Sequence, residues 1–531
     1  MSNMSENDTK RIREIESYFD AEFYLRTYPD VSVAGVDPLN HYYVQGWHEL
    51  RDPAPDFSTK AYLENNPDVS AAKVNPFWHY VVVGKKEGRQ AYHPGGYKAN
   101  QLQNLKPFTG SEHIANWPDP ENQFDPIDLF DQITATDSKS VLISVSHDNY
   151  LEIYGGVQLC LHREQELAQK AEIAYVNIHP YRHQSCIVDG KPVERVMLGV
   201  SLNGRYLGQC TMIDLIIASA RLTKTGIDCS VAIHSFIGHD TEGLILLLKS
   251  IKKPKCIFWI HDFFTLCQSY TLQRNDITYC AAPSPNSGSC SICKYGAVRK
   301  RHLSKLHDFF NAVDVHVIAP SSFALSMWRE KSQLRSASET IEPHLKKSEF
   351  PQPHSRDPSA NSNVIKVAFA GSPTRLKGWR VFEALAKRHK SNEKYEFHYF
   401  GMVKAPSGII WHPVHVKANE YTAMSDAIRS AEIDIIIHWS ETPETFSFST
   451  WEAIVGGAFV ITNPWSGNVK VIVESTGHGV VVDSETALND MFDSLSFNEV
   501  ATSARKARNA VKIETSHSDQ SLTHLQLLAK Q

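Results

Sequence analysis

Apolar residues in this chain follow two rhythms that take turns. Short unbroken apolar runs occur at Val141 to Ser146, Ile173 to Ile178, Leu215 to Ala218, Ser230 to His234, Cys256 to Ile260 and Val315 to Ala319. Segments of helical period lie between them, the first running from Gly156 to about Lys170. Runs of this length, bounded by polar turns, suit strands buried on both faces, so the alternation predicts a parallel sheet covered by helices on both sides. A Pro-, Ser- and His-rich break from Thr340 to Asn363 interrupts the pattern, which then restarts. The second series predicts a strand Val364 to Ala370, a glycine loop, a helix Gly378 to His389 and a strand Tyr395 to Phe400. A strand Glu432 to His438, a helix carrying Glu452, a strand Phe459 to Thr462 and a helical tail from about Asn498 follow. Two successive Rossmann-like domains result, whose ligands would lie at the carboxyl ends of the strands.

The first ninety residues have a different organisation. Phe19-Asp-Ala-Glu-Phe-Tyr-Leu-Arg-Thr-Tyr-Pro-Asp-Val returns as Phe57-Ser-Thr-Lys-Ala-Tyr-Leu-Glu-Asn-Asn-Pro-Asp-Val at a constant offset of 38. The match extends to Pro38 and Pro76, His41-Tyr42 and His79-Tyr80, Gly46 and Gly84, and Arg51 and Arg89. Each unit reads as a short helix, a Pro-Asp turn and a second helix, Pro38 to Val44 or Pro76 to Val82, with Pro in its first turn and Gly at its stop. One unit is too small to bury its aromatic face, so two should stack, with the His-Tyr pairs as packing residues. The expected organisation is a helical module at 1–95 (units about 19–52 and 57–90), a linker at 96–137, a first Rossmann-like domain at 138–345 and a second at 355–531.

Length and composition agree with this division. A chain of 531 residues is too long for one core and suggests roughly three domains. The formal charge of -5 gives no reason to expect nucleic acid as a partner. One basic cluster, Lys294, Arg299, Lys300, Arg301 and Lys305, reads as a solvated helix face or as a contact for an anionic membrane surface or phosphorylated lipid. The first thirty residues lack the apolar core of a signal peptide, and no 18-residue apolar stretch occurs. A cytoplasmic location, or a peripheral one at the inner face of the membrane, is the resulting expectation. Four of the nine cysteines, Cys267, Cys280, Cys290 and Cys293, fall in a Gly-, Pro- and Ser-rich insertion at 267–293. The spacing Cys-x12-Cys-x9-Cys-x2-Cys leaves two readings, a structural zinc held by four thiolates or reduced thiols in an ordered loop.

Chemistry concentrates after strand Glu432 to His438. Glu444 and Glu452 stand eight residues apart, across Thr445-Phe446-Ser447-Phe448 and into a helix followed by Gly456-Gly457. Loop amides at a helix start favour a diphosphate. Glu444 at the loop mouth would accept hydrogen bonds from sugar hydroxyls, and Glu452, two turns further on, from a ribose. The alternative is a solvated Glu452 on an ordinary amphipathic helix. Earlier, Gly371-Ser372-Pro-Thr-Arg375-Leu-Lys377-Gly378 follows a strand and offers two cations to phosphates. In the first domain, Gly155-Gly156 after the first strand lets backbone approach a ligand, and His261 ends a strand facing the same cleft. His234, at the end of the preceding strand, is a weaker candidate.

Strand, acidic loop, helix, Gly-Gly and strand together resemble the donor-site signature of retaining glycosyltransferases of family four, from about Val141 to the C-terminus and most specifically after Val364. The resemblance implies the GT-B fold and a nucleoside-diphosphate sugar, UDP- or GDP-linked, as donor. It also implies a glycan or lipid-linked glycan acceptor in bacterial polysaccharide assembly, and catalysis with no metal. Ser372 stands where the family has arginine, so Lys377 becomes the main phosphate-neutralising residue, with Arg375 as the substitute. Gly371, Ser372, Phe446, Ser447, Phe448, Gly155, Gly156 and Glu452 would line the donor, and Glu444 and His261 would meet its sugar. In this family the departing phosphate is thought to take the acceptor's proton, which makes Glu444 an electrostatic residue rather than a nucleophile. Helical units like these resemble modules found beside bacterial polysaccharide glycosyltransferases, implying docking to other assembly proteins or acceptor handling. A sugar-nucleotide epimerase of the same fold, or a non-catalytic sugar-nucleotide sensor, is the competing reading.

Overall fold

The computed structural model describes residues 6–54, 57–91, 123–182, 184–190, 192–351, 364–402, 404–406, 408–415, 421–494, 511–518 and 520–529, with 102, 105, 500 and 502. Most of the expected linker and the start of the expected C-terminal tail lie outside the described residues.

The first lobe is built on strands β1 Ser140–Val145, β2 Ile173–Pro180, β3 Met197–Leu202, β4 Arg205–Thr211, β5 Asp228–Ile233 and β6 Lys255–Trp259. A small hairpin of β7 Gln273–Arg274 and β8 Thr278–Tyr279 precedes β9 Val315–Ala319 and β10 Ser338–Ile341. Eight strands form one sheet in the order β10-β9-β6-β5-β1-β2-β3-β4. It is parallel except at β3 and β4, which close one edge as an antiparallel pair. Because β2 and β5 flank β1 on opposite sides, the chain reverses direction there. Such a reversal opens a crevice at the carboxyl ends of β1 and β5.

The second lobe follows a connecting strand, β11 Leu345–Pro351, and contains β12 Ile365–Ala370, β13 Tyr395–Gly401, β14 Ile410–Pro413, β15 Ile435–His438, β16 Phe459–Thr462 and β17 Gly479–Val481. Its all-parallel order, β14-β13-β12-β15-β16-β17, is that of the doubly wound dinucleotide-binding sheet. The switch point lies between β12 and β15. The loops that leave it are 371–378 and 439–447, the two segments carrying the expected phosphate and sugar residues. The expected α/β class, two Rossmann-like domains in the GT-B manner behind a small helical module, is the observed fold. Separate buried clusters cover the two faces of each sheet, Leu215 and Leu142 marking opposite faces of the first, Phe369 and Ile436 those of the second.

Several elements differ from expectation. Leu215 to Ala218 is part of a helix, Met212–Lys224, not a strand. Thr211 and Asp214 form a reciprocal capping box at its start, and Met212, Leu215, Ala218 and Leu222 are buried along one face. The expected linker ends in a helix, Pro126–Thr134, whose Leu129 and Ile133 join the first lobe's core. Near the C-terminus, β18 Val511–His517 is a strand that pairs antiparallel with β11. The chain then crosses back, and helix Gln520–Ala529 packs Leu522 and Leu525 against the first lobe.

The two N-terminal units have matching interiors. Tyr24 Oη bonds His41 Nδ1 at 3.0 Å, and Tyr62 Oη bonds His79 Nδ1 at 3.0 Å. Arg51 holds Asp30 and Arg89 holds Asp68 at the same places. What was expected as a Pro-Asp turn is in each unit the start of a further short helix, Pro29–Ala34 and Pro67–Ala72. Proline at the first helical position loses no hydrogen bond, which is why the turn signal concealed a helix. The module touches both lobes: Tyr18 Oη donates to Lys404 O at 3.4 Å, and a side chain at Gly35 would meet the Arg182 guanidinium at 2.6 Å.

Candidate functional site

Loop 439–447 is fixed from three directions. Ser440 Oγ stands 3.1 Å from Leu376 O and 2.7 Å from Thr442 O, with its one proton shared among the acceptors around it, and so ties the loop to segment 371–378. Glu444 N donates to Ser466 O at 3.1 Å, and Glu444 O accepts from Asn468 N at 2.8 Å. Gly467 (φ +66°) lies so close that a Cβ there would stand 2.7 Å from the Glu444 backbone. Ser447 then caps helix Phe448–Val455 from a left-handed conformation (φ +77°) that a side-chain residue seldom adopts. Strain of this kind persists only where the surroundings over-determine it. At the other loop, a side chain on Gly378 (φ +86°) would run into Trp439 O, so Lys377 must be followed by glycine.

Between these loops Lys377 Nζ meets Glu444 Oε1 at 2.6 Å, with 41% of the lysine side chain and 15% of the glutamate exposed. Burial pushes the Glu444 carboxyl up, but Lys377, His438 and the hydrogen bonds from Lys377 and Ser440 outweigh it and hold it below the usual range. His438, at the end of β15, is pushed down to about 4 by burial and is neutral at pH 7. Glu452 has no such partner among the described residues, and burial pushes it up to about 7. The expected pair is thus chemically split: Glu444 is an anion beside a cation, whereas Glu452 titrates near neutrality.

Across the cleft, Gly155 precedes helix Gly156–Lys170, and a Cβ at Gly156 would stand 3.5 Å from the Phe448 ring. The glycine step therefore faces the donor-side loop. Phe446 is buried, and both it and Phe448 contact His344, Phe448 by stacking at 5.6 Å between ring centroids. These two aromatics pack the loop in place. Gly371 (φ +105°) has open space on its Cβ side, and Ser372 is exposed beside it.

His261 follows β6, and its backbone oxygen accepts from Thr445 Oγ1 at 2.7 Å. Its ring lies stacked near Trp259 and His344. Burial, together with His234, His344 and His147, drives its pKa well down, so the ring is neutral. His261 Nε2 bonds His234 Nδ1 at 2.9 Å, and His234 Nε2 bonds Glu164 Oε1 at 3.0 Å. Cys160, His261 and His344 bring one ligand-type atom each within 4.8 Å of one another. His261 Nε2 is already engaged by His234, and the two imidazoles lie stacked, so the trio is a packed polar cluster.

The structure changes two expectations and adds detail to the cysteine insertion. Arg375 does not join Lys377. Its guanidinium pairs with Glu441 and donates to Gln273 Oε1 at 2.6 Å and Asp276 O at 3.1 Å, bridging the second lobe to the Cys-rich insertion. A guanidinium with a fixed fork finds several acceptors there and is withdrawn from the phosphate side. The four cysteines line one small cavity of about 20 Å³, but the cation that meets them is Arg299, whose Nη1 lies 2.8 Å from Cys290 Sγ. Burial pushes the Cys267 thiol up to about 12. The basic cluster is also not a bare face. Arg299 is buried, Lys294 pairs with Asp276, Arg301 with Asp189, and Lys305 with Asp189 and Glu242.

Residues not singled out from sequence complete the site: His438, Ser440, Thr445, Gly467, His344, Glu164 and Ser521. His438 ends a recognised strand and Ser440 follows it, so both were within reach of a local reading. Thr445 follows Glu444 in the recognised loop, whereas Gly467, His344, Glu164 and Ser521 come from distant segments and had no local signal.

No protein-family model matches the sequence, and no curated protein matches it. Among solved structures the chain is similar to WaaG, a glycosyltransferase involved in lipopolysaccharide biosynthesis, at 14% identity over 69% of this chain and 94% of that one (TM-score 0.41). It is also similar to Anabaena Alr3699/HepE in complex with UDP and glucose, at 13% identity over 70% and 94% (TM-score 0.41). The pneumococcal O-GlcNAc transferase GtfA, in complex with UDP and GlcNAc, matches at 9% identity over 70% and 95% (TM-score 0.40). Scores this low leave the chemistry of this chain to be argued from its own residues.

Proposed function

We propose that this protein transfers a sugar from a nucleoside diphosphate, UDP- or GDP-linked, onto a glycan or lipid-linked glycan acceptor, with retention and without a catalytic metal. The observation that carries the reading is the Lys377–Glu444 pair at the switch point of a doubly wound sheet, beside the start of helix Phe448–Val455 and opposite Gly156.

In this reading the diphosphate lies between Lys377 and the amides at the helix start, where a cation and oriented N–H groups stabilise charge gathering on the leaving oxygen. Glu452, in its ionised form, accepts from the ribose hydroxyls. Glu444 accepts from the sugar and places negative charge near a positive anomeric carbon. His261, neutral, accepts from a sugar hydroxyl on the opposite wall. As the anomeric C–O bond breaks, the acceptor oxygen bonds to the same face and its proton passes to the departing phosphate. The helical module, lying against both lobes, serves as a dock for other assembly proteins.

The test is release of nucleoside diphosphate by the purified protein across a panel of UDP-, GDP- and dTDP-sugars, with and without a lipid-linked glycan extract. Release with one donor, raised by the extract, supports the proposal and names the donor. Tight donor binding with no release under any condition would favour a sugar-nucleotide sensor. Ser372 and the diversion of Arg375 into an interlobe contact are the observations that favour that second reading.

A further inference from the structure

Beneath His261 runs a continuous buried chain of polar groups. Glu164, on helix Gly156–Lys170, has no exposed surface. Its Oε1 accepts from His234 Nε2 at 3.0 Å and from Tyr175 Oη at 3.2 Å. Its Oε2 accepts from Ser521 Oγ, on the helix that returns from the C-terminus, and Ser521 Oγ in turn accepts from Trp259 Nε1 at 2.9 Å. His234, only 2% exposed, carries the chain onward from its Nδ1 to His261 Nε2 at 2.9 Å.

The donor and acceptor roles along this chain follow from its anchored end. A carboxylate with three donors around it can only accept, so His234 must carry its proton on Nε2. In a neutral His234 the Nδ1 is then an acceptor, and the hydrogen between the two rings belongs to His261 Nε2. The remaining nitrogen of His261 keeps a lone pair. Which nitrogen of an imidazole is protonated is set by the bond its other nitrogen makes.

We propose that Glu164 and His234 are positioning residues that lock His261 as the Nε2–H tautomer, so that Nδ1 acts as a hydrogen-bond acceptor for a hydroxyl of the donor sugar. Ser521 ties this lock to the return of the C-terminal helix. An acceptor at Nδ1 selects a donor hydroxyl over an ether or deoxy position, because a buried acceptor left without a partner is costly. Only the sugar-hydroxyl half of this inference rests on the transferase reading; the tautomer lock stands on the apo protein.

The tautomer is read without any substrate. In a long-range ¹H–¹⁵N spectrum of ¹⁵N-histidine-labelled protein, with His261→Ala assigning the ring signals, His261 should show a protonated Nε2 and an unprotonated Nδ1. An Nδ1–H tautomer, or an imidazolium at pH 7, would overturn the lock whatever the protein turns over. His234→Phe keeps an aromatic ring in the site but removes the acceptor, and His261 should then shift toward a mixture of tautomers. With the donor found by the release assay, the same variant should lose about tenfold in kcat, the scale seen when a partner orienting a histidine is removed. An unshifted His261 spectrum in a folded His234→Phe, or unchanged turnover, would overturn the positioning role. If no donor is turned over by the parent protein, the transferase reading fails while the spectrum still decides the tautomer.

Discussion

The two lobes hold their chemistry in opposite ways. In the second lobe, Lys377, Ser440, Glu444 and Ser447 come from two loops at one switch point and Glu452 from the helix that follows, and an exposed cation meets a carboxylate across short local hydrogen bonds. In the first, Glu164, His234, His261 and Ser521 come from four distant segments and form a buried chain behind a single ring. One site presents charge to a ligand, and the other fixes the state of one neutral group. The difference teaches that charge is provided where solvent and substrate enter, whereas the control of a proton requires burial.

The sharpest way to break this contrast is to remove the carboxylate of the charged pair. Glu444→Ala takes away the anion beside Lys377 and should lower donor-dependent release by about 10²–10³-fold, the range for deleting one electrostatic stabiliser. A smaller loss in Glu444→Ala than in His234→Phe, measured by kcat/KM with the same donor, would invert the roles assigned to the lobes.

Arg375 tests whether the lobes act together. Arg375→Ala leaves Glu441 without its cation and removes the bonds to Gln273 and Asp276. Breaking such a half-buried charged contact should cost about 1–3 kcal/mol. Thermal unfolding and donor KM should both register it, with kcat changed less than in Glu444→Ala. A kcat loss as large as that of Glu444→Ala would return Arg375 to the phosphate site.

Glu452 gives a pH signature. Its pKa of about 7 lies above the usual glutamate value, so between pH 4.5 and 7 the folded state binds the proton that the unfolded state has lost. Stability from this group is therefore present at low pH and lost as pH rises through 7. Glu452→Gln removes the buried charge and should raise the melting temperature at pH 8 relative to the parent, with the gain vanishing near pH 4. Donor affinity should move the opposite way. In the parent, KM for the donor falls as pH rises through 7 and the ribose acceptor ionises; in the variant that pH dependence flattens. Equal pH profiles in parent and variant would return Glu452 to the helix surface.

How much of this was legible in the sequence follows the same line between local and distant. Four of the second lobe's six sheet strands, its two loops and the Glu444, Glu452 and Lys377 positions were readable because apolar runs and loop residues are contiguous there, whereas the short edge strands β14 and β17 carry too few apolar residues to stand out. Leu215 to Ala218 was misread because a buried helix face and a buried strand share an apolar run, and only the Thr211–Asp214 cap separates them. Strand β18 was missed because its partner, β11, lies far away in sequence, and the expected helical tail carried no local sign that it returns to β6. Arg375 was read as a phosphate ligand from its spacing to Lys377, which says nothing of acceptors in the other lobe. Glu164 had no signal at all: a glutamate in a helical period resembles a solvated one until the fold buries it beside His234.

The smallest expected effect belongs to the duplicated module, where the comparison is between two copies of one structure. Tyr24 and Tyr62 are both fully buried, and each gives its hydroxyl to a histidine, His41 or His79, at the same 3.0 Å. Burial lowers the pKa of both histidines, so each presents a neutral nitrogen as the partner. Tyr24→Phe and Tyr62→Phe remove one hydrogen bond apiece without opening a cavity, because the ring stays. Each should cost about 1 kcal/mol, read as a shift in denaturation midpoint. Each leaves one imidazole nitrogen buried without its donor, and that residual penalty should be equal in the two copies. Equal losses would mean that the units are interchangeable packing elements and that the histidines have no ligand to serve. A loss confined to one unit, or a change in donor turnover from either substitution, would mean that the copies have diverged and that one of them reports to the cleft through the lobe it touches.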